Sequence, residues 1–482
     1  MSKERIEQYI DYSVFLYIFL FMLYGFVARI IPLYMNIDEQ INSLVFVFFA
    51  GSGCLLVFLD LIRDQHLFKG KYCWVLYAFI AVMILSSLIN IQYGYSDNIK
   101  TIIWTGIQVA LYYSAYTRVD SEKMLKFLCF IFHMISWIWT IAVIYSLKQF
   151  VIMIGYSVEI WPGEWRYQGF SVNRLFGIFN DPNYAGVTSV YVIIMLLFLF
   201  KNSKRKWLKA VCVFASFFHI VYIILSGSRT AEVCSIIVSF ILIFFLIRNQ
   251  FQENKVLKKN VLSCLCACLA VCFIVGIGLG LREGLPYIPK WYAGVVLDGQ
   301  TKSGDKGEES EQSIEEVIAE SVSKTEADSF LQRDDVERST HTRQKIWENY
   351  IRGLKGRYII GASPRNIDKY IEDVHPDIYI QNEGYETHSG FLSVFAGTGF
   401  IGVIVVVVYM ILILRKLIIY CFGNTNIDDN FIMIFSIVMC ILIYTCFFTE
   451  LFFVNNLTTA IFWILLGTIM YWLDGFKREK VV

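Results

Sequence analysis

Long apolar runs recur along the whole 482-residue chain and are separated by short polar segments. A helix needs roughly 20 apolar residues to cross a hydrocarbon core about 30 Å thick. Runs of about that length predict spanning helices near residues 12–31, 41–61, 73–92, 99–117, 125–147, 183–200, 208–225, 230–247, 260–281, 388–414, 431–453 and 457–473. The first run is too long for the apolar core of a signal peptide and precedes no small-residue cleavage site. We therefore predict an all-α polytopic membrane protein with about 12 transmembrane helices.

The Lys and Arg residues predict the orientation of these helices. With twelve spans, the five strongly basic segments all fall on one side: 63–71, 118–126, 201–209, 248–259 and 477–480. Short loops rich in Lys and Arg remain in the cytoplasm. The loops at 36–40 and 93–98 contain neither residue and fall on the opposite side. Both termini are therefore predicted to be cytoplasmic.

One large loop divides the chain. Residues 1–281 carry the first nine predicted helices, 282–387 form an extracytoplasmic loop between the ninth and tenth, and 388–482 carry the last three. Within the loop, 298–337 is acidic and poor in aromatic residues, which predicts a disordered insertion. Residues 340–387 are predicted to fold, because an apolar stripe at helical spacing begins there: Ile346, Trp347, Tyr350, Ile351 and Leu354.

Composition supports the membrane class and argues against several others. Hydrophobic residues make up 56% of the chain and charged residues 17%, against about 25% in ordinary soluble domains. The net charge of +1 gives no sign of nucleic-acid binding. The loop 282–387 has no cysteine, so no disulfide framework is expected there. Cysteines do cluster between Cys264 and Cys272, but alternate helical positions point in different directions, which favours packing over a metal site.

Arg229 is the first candidate for chemistry. It follows Ser226, Gly227 and Ser228 in a tight turn between two predicted helices at the outer face. An isolated arginine there can simply extend to the membrane interface. Alternatively, its planar guanidinium can bind phosphate through two parallel hydrogen bonds. The backbone amides that open the next helix favour an anion at the same place.

Three further segments have both structural and functional interpretations. Arg343 lies at the start of an amphipathic helix, where it either faces solvent or binds an anion. His388 lies where the loop returns to the membrane, as a hydrogen-bonded interface residue or as a base that titrates near neutral pH. Asn180 and Asn183 flank Asp181 and Pro182 in a sequence typical of a turn and helix cap.

The order of these segments resembles the bacterial O-antigen ligase and surface polysaccharide polymerase family over about residues 170–415. The motifs that carry the resemblance are Asn180-x-x-Asn183, Ser228-Arg229, Arg343-x-x-Ile346-Trp347, and His388 followed by Gly397-x-Gly399-x-x-Gly402. The sequence departs from the family at two points. Ser389 stands where Asn often follows the histidine, and Gly361-Ala362-Ser363 stands where Gly-x-Gly is common.

The resemblance implies metal-independent glycosyl transfer, without a cofactor, at the outer face of the bacterial cytoplasmic (inner) membrane. The donor and acceptor would be glycans, the donor carried on undecaprenyl pyrophosphate, with membrane lipids around them. Arg229 and Arg343 would bind the pyrophosphate and His388 would be the catalytic base. Supporting candidates are Asn180, Asn183, Ser228 and Arg338.

The same motifs serve two reactions within the family. We favour the polymerase that builds an O-antigen, capsule or exopolysaccharide, for which a chain-length regulator is a further partner. The alternative is a ligase that moves a finished glycan to another acceptor. A lipid-linked oligosaccharide flippase is an alternative from another class. Related halves are typical of such transporters, but the two halves of this chain are unequal.

Overall fold

The computed structural model describes residues 3–161, 163–251, 256–303, 320–324, 336–378, 387–424 and 426–475. Helices occupy each of the predicted apolar runs. The long helices are Lys3–Tyr24, Glu39–Ile62, Cys73–Ile89, Ser96–Ile107, Ser121–Val151, Pro182–Asn202, Lys206–Leu225, Arg229–Gln250, Val256–Gly284, Tyr287–Ser303, Val336–Gly353, Gly390–Gly423, Asp429–Thr445 and Leu457–Gly475. Shorter α-helices are Ile31–Met35, His66–Lys69 and Ile367–Val374, and one helix continues through a π segment, Gln108–Tyr112, into a 3₁₀ segment, Tyr113–Thr117.

The lengths and composition of these helices agree with a polytopic membrane protein. Eight helical stretches among the described residues are long and apolar enough to cross a membrane. Two shorter apolar helices, Cys73–Ile89 and Asp429–Thr445, accompany them. The total of twelve spans and the side on which each loop lies stay predictions.

A three-stranded antiparallel sheet interrupts the helices, and sequence analysis gave no indication of it. Strands β1 (Gly155–Trp161), β2 (Glu164–Ser171) and β3 (Arg174–Gly177) follow one another as two hairpins in the order β1-β2-β3. Gly155 and Gly169 face each other at the base of the first hairpin, where a side chain on Gly169 would strike the carbonyl oxygen of Ile154 at 2.0 Å. The sheet is an addition to the predicted all-α architecture.

The contacts divide the chain into two compact units. The first unit comprises 1–25, 37–131 and 337–482, and the second comprises 26–36 and 132–336. In the second unit the Pro182–Asn202 helix is the centre, because most of its residues are buried. In the first unit the Leu457–Gly475 helix is central, because 83% of its most apolar 18-residue segment is buried.

Part of the large loop forms a small core within the first unit. We name the Val336–Gly353 helix the loop helix and the Gly390–Gly423 helix the re-entry helix. Of the predicted apolar stripe, Ile346, Tyr350 and Leu354 are buried, whereas Ile351 is 46% exposed. The three buried residues form one apolar cluster with Ile371 and other residues of the Ile367–Val374 helix. Helical structure also extends beyond the predicted ninth span, to Ser303. Most of the acidic stretch 298–337 lies outside the described residues.

Candidate functional site

Arg229 opens a helix immediately after a turn built by two serines. The hydroxyl of Ser228 accepts a hydrogen bond from the backbone N–H of Ala231 at 3.2 Å and so caps the helix. The Ser226 hydroxyl donates to the Ile223 carbonyl at 2.8 Å. Both serines are fully buried, whereas Arg229 is exposed. Ser228 therefore stabilises the turn as a buried helix cap, and Arg229 is left at the surface.

Arg174 ties this turn to the start of the Pro182–Asn202 helix. Its Nε donates to the Ser226 carbonyl and its Nη2 to Asn183 Oδ1, both at 2.9 Å. The residue is only 8% exposed. Sequence analysis missed Arg174, because its neighbours in space lie nine and 52 positions away along the chain. The predicted supporting residue Asn183 is thus a partner of a buried arginine.

A third arginine, Arg29, lies at the same helix start. Its guanidinium stacks on the ring of Tyr184, 3.7 Å from the ring centroid. Its carbonyl accepts a hydrogen bond from the backbone N–H of Asn180 at 3.1 Å. The Asp181 side chain caps the helix by accepting from the backbone N–H groups of Asn183 and Tyr184. The expected turn-and-cap role of this segment is therefore confirmed.

The arginine cluster (Arg29, Arg174 and Arg229) gives the second unit a local excess of positive charge. The helices that begin at Pro182 and Arg229 come close together at Gly186, where a Cβ would lie 3.0 Å from the Cβ of Ala231. Two helix N-termini therefore lie close together, with the guanidinium groups of Arg29 and Arg174 beside the first and Arg229 at the start of the second. Helix N-termini and arginines both favour anions.

In the first unit, Arg343 and His388 both lie against Phe448. The guanidinium carbon of Arg343 is 5.0 Å from the Phe448 ring centroid, and the His388 ring is 6.5 Å from it in an edge-to-face arrangement. His388 has a φ of +47°, a left-handed conformation that non-glycine residues seldom adopt and that recurs at functional sites. The structure thus brings together two of the three principal predicted residues.

Hydrogen bonds fix the turn that carries His388. The indole Nε1 of Trp347, one turn beyond Arg343 on the loop helix, donates to the Thr387 carbonyl at 2.9 Å. The Ser389 hydroxyl accepts from the backbone N–H of Leu392 and caps the re-entry helix. The Thr387 and Ser393 hydroxyls are hydrogen-bonded at 2.6 Å. Serine at 389, the first departure from the family pattern, therefore serves as a helix cap.

The glycine motif that follows His388 is a contact surface for the loop. Gly399 has a φ of +63° and interrupts the helical geometry, and a Cβ there would lie 2.3 Å from the carbonyl oxygen of Ile359. The Phe400 and Ile401 N–H groups accordingly donate to the carbonyls of Tyr358 and Ile359. The glycines allow the loop backbone to reach the helix axis.

An apolar cavity of about 230 Å³ lies in the same unit. Phe391, three residues after His388, and Phe452, four residues after Phe448, are part of its wall. Most of the remaining lining is aliphatic or aromatic, with Thr105 and Gln108 among the few polar residues. Such a space suits a hydrocarbon chain better than a polar ligand.

The remaining predicted residues divide between the two units. Asn180, Asn183, Ser228 and Arg229 belong to the second unit, and Arg343 and His388 to the first. Arg338 lies in the loop helix, but its side chain is outside the described part of the chain. Glu383 and Glu386 precede His388 in the same loop and are the next candidates for the base if His388 is not one. Both fall outside the described residues. Within the described ranges, no three His, Cys, Asp or Glu side chains gather as metal ligands would.

Comparison with known proteins gives one family match. No curated protein matches the chain. A family model described as O-antigen ligase matches residues 214–407, which include Arg229, Arg343, His388 and the glycine motif. The match covers less than half of the chain but contains all three principal candidates. Residues 214–407 are therefore similar to the O-antigen ligase family.

Proposed function

We propose that this protein polymerises undecaprenyl-pyrophosphate-linked oligosaccharide units into a surface polysaccharide, such as an O-antigen, a capsule or an exopolysaccharide. The main support is the arrangement of Arg343 and His388 around Phe448, inside the region that matches the family. A cation for a leaving pyrophosphate and a base for an attacking hydroxyl are the two groups that the reaction needs. The cluster around Arg229 supplies further positive charge.

In the proposed reaction the acceptor hydroxyl attacks the anomeric carbon of the donor glycan. The bond between that carbon and the pyrophosphate oxygen breaks as the new glycosidic bond forms. His388 takes the hydroxyl proton, and the lipid pyrophosphate leaves with the bonding electrons. Arg229 and Arg343 stabilise the negative charge that develops on it. The reaction is metal-independent, because guanidinium groups supply the countercharge.

The apolar lining of the cavity in the first unit supports binding of part of the donor's lipid chain. Its walls include Phe391 and Phe452, which follow His388 and Phe448 by three and four residues respectively. The proposed reaction takes place at the outer face of the bacterial cytoplasmic membrane, with both termini in the cytoplasm, as the basic loops predict. Donor and acceptor would meet at the membrane surface.

Ligase activity is the second candidate, since the family match does not distinguish it from polymerase activity. A ligase would use the same leaving group and base but a different acceptor. The products separate the two functions: a polymerase yields a ladder of lengthening lipid-linked glycans, whereas a ligase yields one glycan joined to a new lipid or protein. A chain-length regulator is a partner only for the polymerase.

The proposal can be tested by substitution in purified protein. Lysine offers a point charge in place of a planar fork, so Arg229→Lys and Arg343→Lys should lose most transfer activity at a normal protein level. His388→Ala should lower the rate roughly 10²–10⁴-fold, the usual contribution of a positioned base. Its affinity for a lipid pyrophosphate should stay near the wild-type value. The assays are product length on gels and binding of undecaprenyl pyrophosphate.

Matched controls come from the same segments. Arg352→Lys changes an exposed arginine in the last turn of the loop helix, and His375→Ala changes another histidine of the large loop. Both should keep wild-type transfer. Wild-type products from His388→Ala would remove this residue from the mechanism, and full activity in both arginine variants would refute the pyrophosphate assignment.

A further inference from the structure

The outer face of the first hairpin carries an exposed row of aromatic side chains. Trp165 is 59% exposed and Tyr167 is 51% exposed. They are two residues apart on β2, so both project from the same face of the sheet, about 7 Å apart. The next ring along is Phe176 of β3, whose centroid is 5.6 Å from that of Tyr167. We call these three residues the aromatic ridge.

Polar groups accompany the ridge on the neighbouring strand. Glu159 of β1 is paired with Trp165, and Ser157 is paired with Tyr167. Directly paired residues in an antiparallel sheet lie on the same face. A carboxylate and a hydroxyl therefore stand beside the two exposed rings. The opposite face differs, since Gln168 there is buried and donates to the Phe179 carbonyl at 3.1 Å.

The ridge leads towards the arginine cluster. The guanidinium carbon of Arg174 lies 5.7 Å from the Phe176 ring centroid. The same guanidinium donates to the Ser226 carbonyl, three residues before Arg229. Trp165, Tyr167, Phe176 and Arg174 thus form a continuous path from the hairpin to the turn that presents Arg229.

We propose that the aromatic ridge is a binding track for the glycan chain, which holds sugar units away from the pyrophosphate. This inference rests on the proposed function for the chemical class of its ligand. One side of a pyranose ring presents C–H groups that pack on an aromatic face, and its rim presents hydroxyls for side chains such as Glu159 and Ser157. The ridge offers both kinds of contact on a single surface.

A membrane surface is the other class of partner that exposed Trp and Tyr can contact. The charges at this hairpin favour the glycan. Glu159 lies beside Trp165 on the face that carries the ridge. Glu164 and Arg166, the sequence neighbours of Trp165, form an ion pair on the other face. Burial of the Glu159 carboxylate at the edge of the hydrocarbon region would carry a desolvation cost that binding in water avoids.

The test measures glycan binding without catalysis. The probe is a lipid-free oligosaccharide, prepared by partial hydrolysis of the surface polysaccharide of the bacterium that carries this chain. Binding to the full-length protein in nanodiscs is measured by calorimetry. The double variant Trp165→Ala/Tyr167→Ala should bind about tenfold more weakly, a loss of about 1.4 kcal/mol, because it removes both stacking faces. Trp165→Phe should keep much of the affinity.

The control is Tyr156→Ala, which removes an aromatic ring that is 41% exposed on the opposite face of the same hairpin. It should bind like the wild type. Equal affinity of the double variant and the wild type would overturn the proposal, and so would absence of wild-type binding. Quenching of Trp165 fluorescence by brominated phospholipids, judged against Trp165→Phe, would overturn it in favour of a membrane contact.

The same experiment separates this inference from the proposed function. The oligosaccharide has no pyrophosphate, so Arg229→Lys should bind it normally while glycosyl transfer is lost. If the ridge variants bind normally and Arg229→Lys loses transfer, only the ridge is refuted. If the ridge variants lose binding but Arg229→Lys and Arg343→Lys keep full transfer, only the pyrophosphate assignment is refuted.

Discussion

Ser363 occupies a backbone position that suits glycine. Its φ is +68°, in the left-handed region, and the residue is fully buried. Its backbone N–H donates to the Ser86 hydroxyl at 3.1 Å. Its own hydroxyl has no hydrogen-bond partner among the described residues. Ser363 is also the position at which the family commonly has the second glycine of Gly-x-Gly, so we predict that Ser363→Gly stabilises the protein.

Three contributions set the size of the effect. Removal of the Cβ from a left-handed residue relieves ~1–2 kcal/mol of steric strain. Loss of a buried hydroxyl without a partner relieves a further ~1–3 kcal/mol of desolvation. Against this, glycine increases the entropy of the unfolded chain and costs ~0.5–1 kcal/mol. The backbone hydrogen bond to Ser86 remains in the variant. The net gain is therefore about 1–4 kcal/mol.

The measurement is the thermal unfolding midpoint of detergent-solubilised protein. A gain of this size should raise the midpoint by roughly 2–8 °C. Ser363→Ala is the matched control, since it removes the hydroxyl but keeps the Cβ and the strain. It should fall between the wild type and Ser363→Gly. A midpoint for Ser363→Gly at or below the wild-type value would refute the reasoning, and equal gains in both variants would show that the backbone carries no strain.

Three other perturbations have defined outcomes. Arg174→Lys cannot keep both hydrogen bonds of the guanidinium, so in a steady-state transfer assay the KM for the lipid-linked donor should rise while that for the acceptor stays unchanged. Asp60→Ala removes the 2.8 Å partner of the buried Arg118 and leaves it only Asp11 at 3.2 Å. The free energy of unfolding should fall, by less than the roughly 3–5 kcal/mol of a fully unpaired buried charge, and the midpoint and yield should fall with it. Burial, followed by the charge of Arg118, lowers the pKa of His66 to about 4. The unfolded chain takes up this proton at a higher pH, so the unfolding midpoint should fall as the pH drops from about 6.5 to about 4. In His66→Gln the midpoint should fall less over the same range.

The helices could be predicted from the sequence because their signal is local. An apolar run of sufficient length has few alternatives to a spanning helix, and a helix lies in every such run. The cap sequence Asp181-Pro182 is equally local, and the structure confirms it. Arg343 and His388 were found through the order of short motifs, and the structure places them around Phe448.

The sheet and Arg174 could not be predicted in this way. The strands contain Gly155, Gly169 and Gly177, and glycine is unfavourable in strands when judged by propensity alone. Pairing between strands supplies the stability that the local sequence does not indicate. In the sequence Arg174 is one more basic residue in a segment without a helical pattern. Its structural role depends on a hydrogen bond to the Ser226 carbonyl, 52 residues away.

Ser363 shows how the rest of the fold compensates for an unfavourable local choice. The Ser86 hydroxyl donates to the Gly397 carbonyl at 2.9 Å, and the Asn90 side chain donates to the Gly361 carbonyl at 3.0 Å. Both partners come from the end of the Cys73–Ile89 helix and the residue after it, well outside residues 214–407. The family match therefore contains the proposed reacting groups but not Ser86 and Asn90, which help to hold their loop. Because those contacts over-determine the backbone at 361–363, the chain tolerates serine in a glycine conformation, and the second departure from the family pattern leaves the geometry of the site intact.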